Sequence, residues 1–336
     1  MNILVVSDAW HPQINGVVRT LQRVGSELRL LGYRFDVIGP DRFRTVPCPS
    51  YPEIPLAVNA TWTIGAMIDD AQPSAIHIAT EGPLGLAARR HCLKRGYPFT
   101  TSYHTRFPEY VHARIRLPVS ISYAWMRRFH SAAQRTMVAT DSMRRELTAR
   151  GFRNLAMWSR GVDTELFRPR EKSFLSWPRP IWLYVGRVAI EKNIEAFLRL
   201  ELPGTKLVVG DGPQLPELRR KFPDVRFAGA KTGEELAQHF AASDTFVFPS
   251  RTDTFGLVLL EALASGLPVA ALPVPGPIDI VNGSPVGCLD DDLAKAAQTA
   301  INLDPKACRQ HALLYSWDAC AQQFLTNLSP FGPATP

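Results

Sequence analysis

The chain has 336 residues, 46% hydrophobic and 21% charged, with 22 Gly and 28 Pro, which fits two globular domains with buried cores and excludes wholesale disorder, a collagenous repeat and a low-complexity chain. Its five cysteines, Cys48, Cys92, Cys288, Cys308 and Cys320, are odd in number and contain no C-x-x-C pair, so a reducing compartment is expected rather than a disulfide scaffold or a cysteine zinc site. The net charge of +7 is lopsided: residues 1–168 carry 22 Lys and Arg against 13 Asp and Glu, and residues 169–336 carry 16 against 18, so the first half is expected to meet an anionic partner unless the surplus is arginine-rich composition alone.

An apolar strand over 3–6 opens the chain, with no basic stretch before it and too short an apolar run for a leader. A loop over 8–15 follows, then a helix in which Val17, Leu21, Val24, Leu28 and Leu31 recur at spacings of three and four. Further strands are expected at 35–39, 75–79, 99–103 and 137–140, with helices near 62–71, 83–95, 119–135 and 141–150. The polar, proline-bearing stretch 169–180 reads as a linker. The pattern then restarts, with strands at 181–185, 206–209, 225–228, 245–248 and 268–272. Helices fall near 192–200, 213–221, 232–242, 255–265, 289–302 and 306–328, and 329–336 reads as a frayed tail. The fold class is therefore α/β, two doubly wound Rossmann-like domains, 1–168 and 181–328. Their ligand is expected beyond the C-terminal strand ends, in a cleft between the two. The longest uncharged stretch, 262–278, contains four prolines and does not read as a membrane span.

Chemistry-bearing residues cluster after the strands. The run 249–262 holds Asp253, then Phe255, Gly256 and Leu257 where a helix should begin, then Glu261 about two turns in. Backbone N–H groups at such a helix start suit a phosphate or sugar oxygen, and a carboxylate can accept both hydroxyls of a ribose diol. The alternative is that Asp253 caps the helix and Glu261 is solvated. Gly186 and Arg187, with Lys192 five residues on, place two cations across a strand-to-helix turn, suited to a diphosphate. Gly210 and Gly212 make a tight turn before Pro213. In the first half Gly16 starts a helix after the 8–15 loop, and His104 stands on the loop after the 99–103 strand, either facing the cleft or serving as a structural histidine. Thr80, Glu81 and Gly82 occupy the corresponding place after the 75–79 strand. No dinucleotide fingerprint or P-loop is present, no His or Cys pair has ligand spacing, and no nucleic-acid motif appears. No metal and no cofactor are expected.

Taken together, the run 250–262 with Ala264-Ser265-Gly266-Leu267-Pro268-Val269 behind it resembles the acidic-x7-acidic motif of glycosyltransferase family 4. Gly186-Arg187 with Lys192, Gly210-Asp211-Gly212-Pro213, Asn15-Gly16-Val17 and Ser159-Arg160-Gly161-Val162-Asp163 stand in that family's order. The resemblance spans about residues 2 to 325. It implies a retaining, metal-independent transferase of the GT-B fold whose C-terminal helix packs back toward the first domain. It implies that Glu261 holds the nucleotide ribose and that Arg187 and Lys192 neutralise the donor diphosphate. Asp253 and the backbone of Phe255, Gly256 and Leu257 would touch the donor sugar, with His104 beside it. Gly16 would lie beside the phosphates, and Gly186, Gly210 and Gly212 would line the donor side. One departure is Asp253, where the family carries Glu. Thr-Asp-Thr-Phe-Gly and His-Thr-x-Phe-Pro-x-Tyr are similar to the branch of glycolipid synthases and GDP-mannose-dependent mannosyltransferases. The implied partners are a UDP- or GDP-sugar and a lipid acceptor such as diacylglycerol, with a soluble or polysaccharide acceptor as the alternative. An epimerase or phosphorylase on the same fold, or a basic membrane- or nucleic-acid-binding protein without catalysis, are the rival readings. Donor sugar, base, acceptor and oligomeric state stay open at this level.

The segment 111–130 carries Arg114, Arg116, Arg127 and Arg128 interleaved with Trp125 and other apolar side chains, as an interfacial segment does. It is expected on the acceptor side, docked on anionic lipid at the inner face of the cytoplasmic membrane. The alternative is that Trp125, Met126 and Phe129 pack into the core.

Overall fold

The computed structural model describes residues 1–13, 15–48, 51–251, 253, 255–281 and 283–331, with the backbone alone at 51–54, 113 and 114. The chain divides into two units, Met1–Arg160 together with the stretch from Trp317 onward, and Gly161–Ser316.

The first unit runs β1 (Asn2–Val6), α1 (Gly16–Leu30), β2 (Arg34–Ile38), β3 (Thr45–Cys48), β4 (Tyr51–Ala57), α2 (Ala60–Ala71), β5 (Ala75–Ile78), α3 (Pro83–Arg95), β6 (Thr100–Tyr103), α4 (Phe107–Ile115), α5 (Val119–His130), β7 (Thr136–Val138), α6 (Asp141–Ala149) and β8 (Leu155–Met157). Its parallel sheet has the order β2-β1-β5-β6-β7-β8, and β3 and β4 form a separate antiparallel hairpin. Side chains alternate across the pleat, so β1 buries both faces. Ile3 and Val5 pack with Leu21, Val24 and Leu28 of α1, while Leu4 and Val6 pack with Ile64 and Ile68 of α2 and Leu84 of α3.

The second unit runs β9 (Ile181–Val185), α7 (Ile194–Leu198), β10 (Thr205–Val209), α8 (Leu215–Lys221), β11 (Arg226–Gly229), α9 (Gly233–Ala242), β12 (Thr245–Phe248), α10 (Leu257–Ala264), β13 (Val269–Ala271), α11 (Pro277–Val281), β14 (Gly287–Leu289), α12 (Leu293–Ala300) and α13 (Pro305–Ala312). Its sheet, β11-β10-β9-β12-β13-β14, is again parallel throughout. The last helix, α14 (Trp317–Asn327), belongs to the first unit, where Phe324 packs 6.3 Å from the Phe35 ring and 4.9 Å from Trp158.

Two expectations shift. The division falls at Arg160 and Ser316, not at 168–181 and 328. The Val162 N–H donates to the Tyr315 carbonyl at 3.1 Å, and the Arg309 guanidinium donates to the carbonyls of Phe167 and Thr164, which ties 161–168 to the second unit. The expected linker is likewise pinned, since Lys172 and Arg179 both pair with Asp244. The helix expected over 306–328 is two helices, and they lie in different units. The hairpin β3–β4, the three-residue strands β8 and β14, and helices α4 and α11 were not expected.

Candidate functional site

In a doubly wound sheet the ligand crevice opens where the strand order reverses. In the second unit that point lies between β9 and β12, and the loops after those two strands carry the residues singled out above. Lys192 Nζ lies 2.6 Å from Asp253 Oδ2, bridging the two loops across the reversal. Asn193 ties them a second time by donating to the Pro249 carbonyl at 3.0 Å. Arg187 stands 3.6 Å from Glu191. Beneath them the buried Tyr184 hydroxyl donates to the Arg187 carbonyl at 2.8 Å. Burial first, then the Asp253 and Glu191 charges, hold that phenol above its ordinary range, against the opposing effect of Lys192. One cation and two carboxylates therefore act on one phenol at a strand end, with the Arg187 side chain beside Glu191.

The capping alternative for Asp253 does not hold. Helix α10 starts at Leu257, its N-cap is Gly256, and among the described residues no side-chain capping hydrogen bond is made there. Glu261 is not a solvated helix residue either: it lies in the second turn of α10, 7% exposed, among buried Leu259, Leu260, Ala262 and Leu263. Phe255 is also buried. Thr252 and Thr254 of the same run lie outside the described residues. Gly210 and Gly212 answer a packing demand. A Cβ on Gly210 would come within 1.9 Å of the Gly186 carbonyl oxygen, and one on Gly212 within 2.4 Å of that of Val188. The two post-strand turns lie against each other, joined by the Val188 N–H donating to the Asp211 carbonyl, so these glycines shape the site through its backbone.

Glu261→Gln keeps shape and loses charge, so it should weaken nucleoside diphosphate binding about tenfold, the scale of one hydrogen bond to a charged group. Its melting temperature should stay within a few degrees of wild type. Titration calorimetry with UDP and GDP reads this, and unchanged affinity would remove Glu261 from the ribose role.

In the first unit the order reverses between β1 and β5. Asp8, just past β1, fills that point. Its buried carboxylate accepts from Thr80 Oγ1 at 2.8 Å, from the Leu84 N–H at 2.8 Å and from the Gly85 N–H at 3.2 Å. Burial raises its pKa, and these three hydrogen bonds oppose the rise. Gly16 begins α1, where the Asn15 carboxamide already accepts from the N–H groups of Val17 and Val18, each at 3.0 Å. Ile14 lies outside the described residues. His104, half-buried after β6, lies 2.8 Å from Ser102 Oγ and 3.2 Å from Arg160. Asp8 and Arg160 were given no role from sequence. A carboxylate immediately beyond a buried strand was a usable signal for the first; the second depends on a contact across 56 positions.

The 111–130 segment is two helices. Arg116 takes a left-handed backbone (φ 55°), and Pro118 follows within two residues, which ends α4 and restarts the chain as α5. Tyr123, Met126 and Phe129 are buried, so the core alternative holds for Met126 and Phe129. Trp125 is 38% exposed and lies tilted against Phe107, itself exposed, with ring centroids 6.1 Å apart. Ile121, Trp125 and Arg128 share the outward face of α5 at helical spacing. Ile115, Arg116 and Arg127 are exposed as well, while the side chain of Arg114 lies outside the described residues. Below the pair of helices, Arg106 pairs with Glu146, and Tyr123 donates to Glu109 at 2.7 Å. Among the described residues no group of His, Cys, Asp and Glu could hold a metal ion, and no helix is long and apolar enough to cross a membrane.

Comparison with known proteins agrees with this geometry. The family model for Glycosyltransferase Family 4 matches residues 14–166, and that for Glycosyl transferases group 1 matches residues 179–303. A GDP-mannose-dependent alpha-mannosyltransferase of Mycobacterium tuberculosis is 29% identical over 97% of this chain and 95% of its own. The sulfoquinovosyl transferase SQD2 of Arabidopsis thaliana is 32% identical over 79% of this chain and 56% of its own. Among solved structures, sucrose-phosphate synthase of Thermosynechococcus elongatus superposes with a TM-score of 0.77 at 20% identity, covering 97% of this chain and 98% of that one. With two parallel-sheet Rossmann-like units and post-strand motifs in the family's order, the chain belongs to glycosyltransferase family 4, enzymes of the GT-B fold that use nucleotide sugars.

Proposed function

We propose that the chain transfers a hexose from a UDP- or GDP-sugar to the hydroxyl of a membrane lipid such as diacylglycerol, with retention of configuration and without a metal. The observation that carries the chemistry is the Lys192–Asp253 pair across the strand reversal of the second unit, with Arg187 beside it in the same loop. A diphosphate bound there meets two cations, and its ribose finds the Glu261 carboxylate. The bond from the anomeric carbon to the diphosphate oxygen breaks as the acceptor oxygen bonds to that carbon on the same face. The acceptor's proton passes to the departing diphosphate, so the enzyme supplies mainly an electrostatic field. The reading of a lipid acceptor is supported by the exposed Phe107, Ile115, Ile121 and Trp125 beside Arg116, Arg127 and Arg128.

The test crosses GDP-mannose and several UDP-hexoses with diacylglycerol vesicles and with soluble glycans, reading nucleoside diphosphate release and the anomeric configuration of the product. Release that depends on the lipid, with the donor's configuration kept, is the expected result. Release with soluble acceptors only overturns the lipid part, an inverted product overturns retention, and no release with any pair overturns the transferase reading. Activity should persist in excess EDTA, because Arg187 and Lys192 already supply positive charge. A complete loss that Mg²⁺ or Mn²⁺ restores would refute metal independence.

A further inference from the structure

The His104 ring is the end of a hydrogen-bond chain through the interior of the first unit. Arg160 Nη2 lies 3.2 Å from His104 Nδ1, and His104 Nε2 lies 2.8 Å from Ser102 Oγ. Ser102 Oγ lies 3.0 Å from His77 Nε2, and His77 Nδ1 lies 2.9 Å from Thr100 Oγ1. A guanidinium can only donate. His104 Nδ1 must therefore accept, which leaves the proton of the neutral ring on Nε2, where it is donated to Ser102. The Ser102 hydroxyl then gives its own proton to His77, the nearer of its two remaining contacts; the Ala79 carbonyl is 3.4 Å away. His77 in turn donates from Nδ1 to Thr100. Every link then runs in one direction: Arg160 sets it at His104, and the shorter contact sets it beyond Ser102.

Arg160 is itself fixed. It is 5% exposed, donates to the carbonyls of Trp158 and Ser159, and lies 4.3 Å over the Trp158 ring. Helix α14 holds that stretch: the Trp158 indole N–H donates to the Cys320 carbonyl, the Cys320 thiol donates to the Ser159 carbonyl, and Gln323 accepts from the Ser159 N–H. Among the described residues, charged and titratable groups facing His104 include Arg160, His77 and His130, the last paired with Glu81 at 3.1 Å. Burial first, then Arg160, then the two histidines keep His104 well below the ordinary histidine range.

We propose that Arg160 is a positioning residue for sugar transfer: its guanidinium locks His104 as the neutral Nε2–H tautomer, with both ring nitrogens committed inside the protein. Neither nitrogen then serves as general base toward the acceptor hydroxyl. The bearing on transfer rests on the reading that His104 lies beside the donor sugar. The tautomer assignment does not.

Nitrogen-15 spectra of histidine-labelled protein test it, with the His104 signals assigned by loss in His104→Gln. Wild type should show an unprotonated Nδ1 and a protonated Nε2 that persist as pH falls through the ordinary histidine range. Arg160→Lys keeps a cationic donor and should retain that tautomer. Arg160→Met should lose it, with a population protonated on Nδ1 appearing, while burial still holds the ring below the ordinary histidine range. Its kcat should fall on the order of tenfold or more, with the donor KM little changed. A proton on Nδ1 in wild type, a wild-type ring that titrates there, or wild-type behaviour in Arg160→Met overturns the proposal. Should Arg160→Met fail to fold, the wild-type and Arg160→Lys spectra decide. A correct tautomer in a protein that releases no nucleotide from any sugar donor would defeat the transferase reading and leave this assignment standing.

Discussion

Arg187→Ala and Lys192→Ala should each lower turnover on the order of 10²-fold or more and leave the fold intact. Both side chains are partly exposed at the strand reversal, and their ion pairs with Glu191 and Asp253 contribute about 1 kcal/mol or less to stability. What they contribute to the reaction is larger, because charge gathers on the departing diphosphate as its bond to the sugar breaks. A preformed cation stabilises that charge without having to reorganise. Lys192 invites a competing explanation: removing it leaves the Asp253 carboxylate without its partner at 2.6 Å, and the stranded carboxylate could itself repel a diphosphate. The double variant Lys192→Ala/Asp253→Ala separates the two. If Lys192 serves only to neutralise Asp253, the double variant is as active as Asp253→Ala alone. If Lys192 faces the diphosphate, the double variant is slower than Asp253→Ala alone. Steady-state kinetics with the donor that the panel identifies, alongside melting curves, reads both. Near-wild-type turnover in Arg187→Ala and Lys192→Ala would refute the diphosphate role.

The second unit's site was legible in sequence because its pieces are local. Each lies within 13 residues of the C-terminal end of a strand, and Gly186, Gly210 and Gly256 mark the turns that expose them. The sequence could not show that Lys192 and Asp253, 61 positions apart, meet across the reversal, since that follows from strand order. Short edge elements escaped for a different reason: β8 and β14 have three residues each, too few for a period to show. Pro47, Pro52 and Pro55 argued against the β3–β4 hairpin, which stands apart from both main sheets, where prolines can be carried. The unit boundary was misplaced because the apolar pattern of 306–328 runs on across the break after α13, and contacts such as Phe324 against Trp158 and Phe35 show which unit α14 joins. Arg160 was visible in its motif, but its effect on His104 is a matter of tautomers, and periodicity carries no information about those.

Arg116→Ser/Arg127→Ser/Arg128→Ser should abolish docking of the chain on anionic vesicles while its nucleotide affinity stays unchanged. Each cation near an anionic surface contributes roughly 1 kcal/mol, so losing three should weaken binding on the order of 10²-fold. The three arginines are exposed, on α5 or in the turn before it, and Arg106, Glu109, Glu146 and Tyr123 hold α4 and α5 together from within, so the substitution should not loosen the fold. A second variant, Ile115→Ser/Ile121→Ser, probes the apolar side of the same surface. These side chains are 68% and 55% exposed, so their loss costs little core packing. Docking that buries apolar side chains among the lipids should weaken in this variant on anionic and neutral vesicles alike, whereas purely electrostatic attraction should not change. Flotation at low and high salt reads the outcome: wild type should float with anionic vesicles at low salt, much less at high salt, and little with neutral ones. Equal flotation of wild type and the arginine variant, or none of wild type, would leave the lipid acceptor without physical support. If the arginine variant stays down and the isoleucine variant floats like wild type, the surface holds the membrane by charge alone, and a lipid acceptor must leave the bilayer to reach the site.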